Sequence, residues 1–235
     1  MMKNKRVLVI AAHPDDEVLG CGGSIKKWKN NRMFEDSSYF SLILAEGLTS
    51  RVKNRNEVPT TEIETLRKNA LEFASIIGYD EMFFEDFPDN RMDGVDLLDV
   101  IHKVSEYIKR LSPQIILTHH HGDLNVDHRI TYQAVITACR PLAGSCVEAI
   151  YSFQIPSSTE WNFPYHKNLF SPNFFVDIST GIEAKLAAMV CYESEKRLPP
   201  HPRSEEILKA TAMQWGSVVG LHYAEAFEII YSIQK

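Results

Sequence analysis

Val7-Leu8-Val9-Ile10-Ala11-Ala12-His13-Pro14-Asp15-Asp16-Glu17 is the stretch whose reading decides the fold. Its first six residues are continuously apolar, with β-branched side chains and no polar alternation, the pattern of a parallel strand buried on both faces. The polar residues then emerge together at the carboxyl end of that strand. Two adjacent carboxylates and an imidazole taken out of water need compensation, which a bound metal ion supplies. Imidazole and carboxylate suit zinc or a similar divalent ion, and His13 and Asp16, three apart on a turn entering a helix, are close enough to share one. Asp15 then points elsewhere and is left as a base beside the ion, a division of labour that catalysis needs and a structural site does not. Capping of the following helix is the plain alternative reading of His13 and Asp16.

Gln114-Ile115-Ile116-Leu117-Thr118 is a second short apolar strand. It is followed by His119-His120-His121-Gly122-Asp123-Leu124-Asn125-Val126-Asp127-His128-Arg129 and then a helical pattern from Ile130 to Cys139. His128 can supply a third ligand, and Asp127 is placed to orient the imidazoles or the ligated water from behind. Three protein ligands leave a fourth position open, as in catalytic zinc sites. Successive side chains of an extended segment point to opposite faces, so His119, His120 and His121 cannot all join one ion; one of them is expected to line the pocket.

Outward from these motifs, the patterning predicts strands at 5–12, 39–45, 81–85, 114–118 and 147–153, alternating with helices at 17–30, 61–77, 95–111 and 127–139. Such alternation implies right-handed crossovers and an α/β fold, a Rossmann-like parallel sheet with helices on both faces. In the doubly wound order 3-2-1-4-5, strands 1 and 4 are neighbours across the switch point. The metal site then falls at the carboxyl ends of strands 1 and 4. Segment 154–172, with Pro156, Pro164, Pro172, Trp161, Phe163 and Tyr165, reads as a long loop whose aromatics either line a substrate mouth or pin the loop to the core. A strand at 173–177, helices at 181–192 and 204–216, and an apolar ending at Phe227–Ile230 read as an edge strand complete the pattern. Without a repeat, low-complexity tract or linker, residues 1–235 read as a single domain.

Composition agrees. A chain of 235 residues with 44% hydrophobic content can bury a sizeable core. The net charge of -6 argues against a nucleic-acid partner, and Lys26, Lys27 and Lys29 read as the solvated face of a helix. Cys21, Cys139, Cys146 and Cys191 show no CxxC spacing and suit buried reduced thiols, so a cytoplasmic setting is expected. The apolar run before His13 is too short for a signal sequence, and no window approaches a membrane span. The expected partner is a small-molecule or glycan-conjugate substrate, and a homo-oligomer is compatible with the composition.

His13-Pro14-Asp15-Asp16-Glu17 together with Gly122-Asp123-Leu124-Asn125-Val126-Asp127-His128 resembles the PIG-L/LmbE-like family of metal-dependent N-deacetylases. Gly20 to Gly23, Tyr192-Glu193-Ser194 and Ala224-Glu225-Ala226-Phe227 resemble it less specifically. The resemblance implies hydrolytic removal of an acetyl group from an N-acetylated amino sugar, such as N-acetylglucosamine, or its conjugate. It also implies His13, Asp16 and His128 as ligands of Zn2+, Asp15 as general base and Asp127 as its supporting carboxylate. Fe2+ or another divalent metal suits the same ligands. Many members carry a His three positions before the last ligand, assigned to the oxyanion or the leaving amine, and this chain has Asn125 there. Asn donates a hydrogen bond but delivers no proton at neutral pH. Asp15 can return the proton it took, or a His can serve: His120, His222 or, favoured here, His201 within Leu198-Pro199-Pro200-His201-Pro202-Arg203. Arg51, in a loop with Lys53 and Arg55, and Asp89 and Arg91, after the third strand, are candidate substrate contacts. Their plain alternatives are solvated charge and a salt bridge within a turn. Two rivals stand beside this reading. Gly20-Cys21-Gly22-Gly23 as a nucleotide-binding turn fails the G-x-G-x-x-G pattern, and Asp15 and Asp16 would repel a pyrophosphate. A catalytically silent relative that binds metal or glycan is supported by Asn125 alone.

Overall fold

The computed structural model describes residues 4–31, 34, 36–163, 168–192 and 197–234. Seven strands form one sheet in the order β3-β2-β1-β4-β5-β7-β6. The strands are β1 (Arg6–Ala11), β2 (Ser38–Ala45), β3 (Glu81–Phe87), β4 (Ile115–His119), β5 (Ala149–Phe153), β6 (Phe174–Asp177) and β7 (Ala224–Ser232). The pairings from β3 through β5 are all parallel, so the doubly wound order expected from the alternation is the observed one.

Six helices cover the sheet: α1 (Asp16–Lys29), α2 (Thr60–Ile77), α3 (Leu97–Leu111), α4 (Val126–Ala138), α5 (Ile182–Val190) and α6 (Glu205–Val218). The central strand shows why. Val7, Val9 and Ala11 feed one apolar core with residues of α1, α2, α5 and α6, whereas Leu8 and Ile10 feed a second with residues of α3 and α4. A strand buried on both faces has no polar alternate, hence the continuous apolar run. Burying each Val, Leu or Ile contributes about 1.5–3 kcal/mol, which leaves β1 and β4 as the most constrained parts of the sheet.

Two expectations are corrected. The strand at the chain's end is longer than Phe227–Ile230 and is not at the edge: β7 lies between β5 and β6 and pairs antiparallel with both. The helix expected over 181–192 ends at Val190, with Tyr192 buried just beyond it. Gly20 to Gly23 lie inside α1 and form no turn; a Cβ at Gly20 would overlap the Phe153 ring, so that glycine serves close helix–sheet packing. Among the described residues, no helix is long and apolar enough to cross a membrane.

Candidate metal centre

The loops leaving β1 and β4 meet at the carboxyl edge of the sheet. His13 Nδ1 lies 3.2 Å from Asp16 Oδ2, His128 Nε2 lies 3.2 Å from the same oxygen, and the two ring nitrogens are 3.3 Å apart. A tetrahedral ion with bonds of about 2.0–2.1 Å has ligand–ligand edges of about 3.3–3.4 Å. The three atoms therefore form one face of such a tetrahedron and leave its fourth corner to a non-protein ligand. Asp16 Oδ1 is buried without a hydrogen-bond partner, a costly state for a carboxylate oxygen that a neighbouring cation relieves.

Each imidazole has its other nitrogen against a carboxylate, which sets the ring and its tautomer. His13 Nε2 is 3.1 Å from Asp127 Oδ2 and 3.3 Å from Asp89 Oδ1. His128 Nδ1 is 3.0 Å from Asp123 Oδ1, a charge contact and not an aligned hydrogen bond. Four buried carboxylates thus surround two imidazoles. Burial alone would push His13 down, but Asp127 and Asp16 hold it well above its ordinary 6.5. His128 is likewise lowered by burial and raised further by Asp16 and Asp123, to about 9. Burial opposes ionisation of Asp16, and His128 and His119 outweigh it, holding the carboxyl well below 3.8. So much negative charge around two bases fits a divalent cation.

A PIG-L family model, described as GlcNAc-PI de-N-acetylase, matches residues 8–139, more than half of the chain and both ligand loops. The chain belongs to the PIG-L family. A diacetylchitobiose deacetylase of Thermococcus kodakarensis is 28% identical over 97% of this chain and 84% of its own length. The N,N'-diacetylchitobiose deacetylase of Pyrococcus horikoshii superposes with a TM-score of 0.75 at 21% identity, over 97% of this chain and 84% of that one. The 4-carboxy-2-hydroxymuconate hydratase GalB of Pseudomonas putida superposes as well, with a TM-score of 0.74 at 22% identity over 98% of both chains. A deacetylase and a hydratase on one PIG-L fold mean that the fold alone does not choose the reaction.

Beside the triangle opens a cavity of about 260 Å3. His13, Asp15, Arg51, Asp89, Asn125, His201 and Arg203 all reach its wall. Asp15 is ion-paired: Arg203 Nη1 donates to its Oδ2 at 2.7 Å, compensating a carboxylate that is otherwise buried. Asp127 supports His13, not Asp15, and accepts the main-chain N–H of Asn90 at 2.6 Å and of Met92 at 2.9 Å. Asn125 caps α4, its side-chain oxygen accepting Asp127 N–H at 2.8 Å, while its amide donates to Asn90 Oδ1 at 2.7 Å. Asp89 accepts from Ser50 N–H and Oγ–H at 3.1 and 2.6 Å, and so braces His13 as well as the cavity. Arg91 turns away to donate to Val52 O at 3.0 Å and is not part of the wall; no salt bridge forms between it and Asp89.

The other histidines separate cleanly. His119 accepts Ala12 N–H at 2.8 Å, and its ring stacks on His128 at 3.9 Å. Burial and the neighbouring His128 hold His119 well below 6.5, and its Nε2 is taken up by the Ala12 N–H, so the ring backs His128 instead of completing the triangle. His120 is tied to Glu228 and to Asn168 O, His121 is exposed, and His222 is exposed at the turn before β7. Trp161 packs edge-on against His201 with ring centroids 5.9 Å apart, whereas Phe163 is exposed; neither lines the cavity. Pro164, Tyr165, Glu193 and Ser194 lie outside the described residues.

Sequence reasoning missed two members of the site. Asp123 accepts from Ser158 Oγ, from Thr159 Oγ1 at 2.6 Å and from Asn125 N–H at 2.8 Å, and it faces His128. Its signal was present, an acid five residues before a ligand His at a helix start. Arg203 left none, since 188 residues separate it from Asp15.

Proposed function

We propose that the chain is a metal-dependent hydrolase that removes the acetyl group from an N-acetylated amino sugar or its conjugate, with His13, Asp16 and His128 as ligands and Asp15 as general base. The observation that carries this reading is the separation of duties at the carboxyl edge. Three donor atoms form one face of a tetrahedron, while a fourth group, the Asp15 carboxylate, reaches the cavity wall outside that triangle. The 28% identity to a diacetylchitobiose deacetylase over 97% of the chain points to the same chemistry, and the likeness to a hydratase shows why the site has to argue it. A wall of Ser50, Asp89, Asn90, Asn125 and arginines suits a hydroxylated ring, and about 260 Å3 is small against the roughly 300–1,000 Å3 of common ligand pockets. One sugar ring with its acetamide is the expected size.

A divalent ion, Zn2+ or Fe2+, would supply Lewis-acid polarisation of the amide carbonyl and an acidified water. Asp15 accepts the water proton and returns it to the departing nitrogen as the oxygen–carbon bond forms and the carbon–nitrogen bond breaks, giving acetate and a free amine. Arg203 holds Asp15 in place between these transfers. Arg203 N–H donates to His201 Nδ1 at 3.1 Å, so the neutral ring carries its proton on Nε2. Burial, with Arg197 and Arg203 nearby, holds His201 below 6.5, which makes it a neutral hydrogen-bond donor for the carbonyl oxygen at pH 7 and leaves Asp15 as the proton source for the amine.

The test is acetate release by the zinc-loaded chain from a panel of N-acetylated sugars, sugar nucleotides and glycolipid head groups, with Asp15→Ala alongside. Release that falls by about 10²–10⁴ in the variant supports the reading. Tight zinc binding with no release from any member overturns it in favour of a silent binding relative.

A further inference from the structure

We infer that Glu17, held by Tyr192, is the positioning residue that fixes the backbone of Asp15 and thereby aims its carboxylate. This rests on the reading of Asp15 as the base. Asp15 sits at φ 109°, ψ -27°, in the left-handed region that side-chain-bearing residues rarely adopt. It precedes α1, yet its carboxylate does not cap the helix and is turned to Arg203 and the cavity instead. An unusual backbone conformation persists only where its surroundings determine it.

Here the tether is visible. Asp15 N–H donates to Glu17 Oε2 at 3.0 Å, and Tyr192 O–H donates to Glu17 Oε1 at 2.7 Å. On the other side, Asp15 C=O accepts from Val18 N–H at 3.0 Å and Leu19 N–H at 2.9 Å. Glu17 and Tyr192 are both 0% exposed, so Glu17 is no solvated acid favouring a helix start. The Tyr192 ring is seated against Phe73 at 5.9 Å, which ties the tether to the core of α2. The Glu17 carboxylate supplies no donor to the triangle and does not line the cavity; its partners are Asp15 N–H and Tyr192 O–H, so its effect on turnover passes through Asp15.

The experiment uses the full-length, zinc-loaded chain and measures kcat, KM, bound zinc and Tm. In Glu17→Gln the amide oxygen can accept Asp15 N–H and the amide nitrogen can donate to Tyr192, so kcat should stay within about fivefold of wild type. Glu17→Leu loses both bonds; a base misplaced by about 1 Å should lower kcat on the order of 100-fold with KM and zinc content unchanged. Tyr192→Phe should lose roughly tenfold. In the double variant Asp15→Ala/Glu17→Leu the second change should cost nothing further, because the tether has no base left to aim. If Asp15→Ala is inactive while folded, zinc-loaded Glu17→Leu keeps wild-type kcat, the inference is overturned. If Asp15→Ala itself retains turnover, it is the reading of Asp15 as base that fails. Should Glu17→Leu not fold, Tyr192→Phe decides: unchanged kcat overturns the inference, and a tenfold loss with unchanged KM supports it.

Discussion

The carboxylate nearest the His13 ring is anchored by main chain, the carboxylate behind the His128 ring largely by side chains. Behind His13 stands Asp127, which accepts two main-chain N–H groups from the loop after β3, those of Asn90 and Met92. Behind His128 stands Asp123, whose partners are the hydroxyls of Ser158 and Thr159, in the segment after β5, and one main-chain N–H of its own loop. Main-chain donors are fixed by the fold and survive any substitution but proline, whereas hydroxyls turn freely and vanish when replaced. One side of the triangle is therefore anchored by the main chain of the loop after β3, and the other depends on a segment that follows β5.

The largest effect should follow Asp127→Ala. It removes the nearer of the two carboxylates on His13 Nε2, leaving Asp89 at 3.3 Å, and strands two N–H groups, that of Met92 in a buried residue, each costing about 1–3 kcal/mol when left unpaired. Zinc affinity, read by chelator competition, should fall about 10–100-fold, and Tm should drop with it. Asp123→Asn should weaken zinc at the low end of that range with a smaller loss of Tm, because the Ser158 and Thr159 hydroxyls can reorient toward the new amide. Equal losses of Tm in the two variants would break the distinction. Next in size comes the pair Ser158→Ala and Thr159→Val, which leaves every ligand and both carboxylates in place. It should cost stability first, about 1.5–3 kcal/mol for each bond to a charged acceptor, and zinc only severalfold. A zinc loss as large as that of Asp127→Ala would show that the hydroxyls, and not the main chain, are the firmer anchor.

This asymmetry also explains what the sequence disclosed. Strands β1 and β4 were legible because burial on both faces demands an uninterrupted apolar run, and strand order then brought His128 to His13 and Asp16. The apolar ending Phe227–Ile230 reads as an edge strand, yet β7 runs from Ala224 between two strands and carries Glu225 and Glu228 into the interior. Both glutamates are buried, Glu225 with Lys185 Nζ at 2.6 Å and Glu228 with His120 Nδ1 at 2.8 Å. Paired charges mimic a solvated face, and no periodicity reveals the partner. Arg203 beside Asp15, and Ser158 beside Asp123, were hidden for the same reason: their pairing depends on long-range chain path, while ligand spacing is local.

The smallest effect is a pH dependence of the segment laid over the side that carries His128. His120 sits on β5's neighbour loop, with Nδ1 on Glu228 and Nε2 on Asn168 O at 2.9 Å, while Glu228 also accepts Ser171 N–H at 2.6 Å. The pair fastens residues 168–171, in the same long connection as Ser158 and Thr159. Two acceptors on one ring favour the imidazolium: burial lowers His120, but Glu228 and Asn168, with Asp123 adding to them, outweigh it and hold it above 6.5. Burial raises Glu228, and His120 with Ser171 N–H outweighs it, holding the acid below 4.5. A raised base contributes stability in full below 6.5 and loses it as pH rises through its folded value; a lowered acid contributes in full above 4.5 and loses it as pH falls through its own. The clamp is therefore strongest between those limits. The Tm gap between wild type and His120→Gln should be widest near pH 5.5–6, about 2–4 °C for each kcal/mol lost, and should narrow as pH rises through the folded value of His120. A His120→Gln gap that stays constant from pH 6 to 9 would mean that the contact to Glu228 is held by a neutral ring, and that the segment over His128 is fastened without charge.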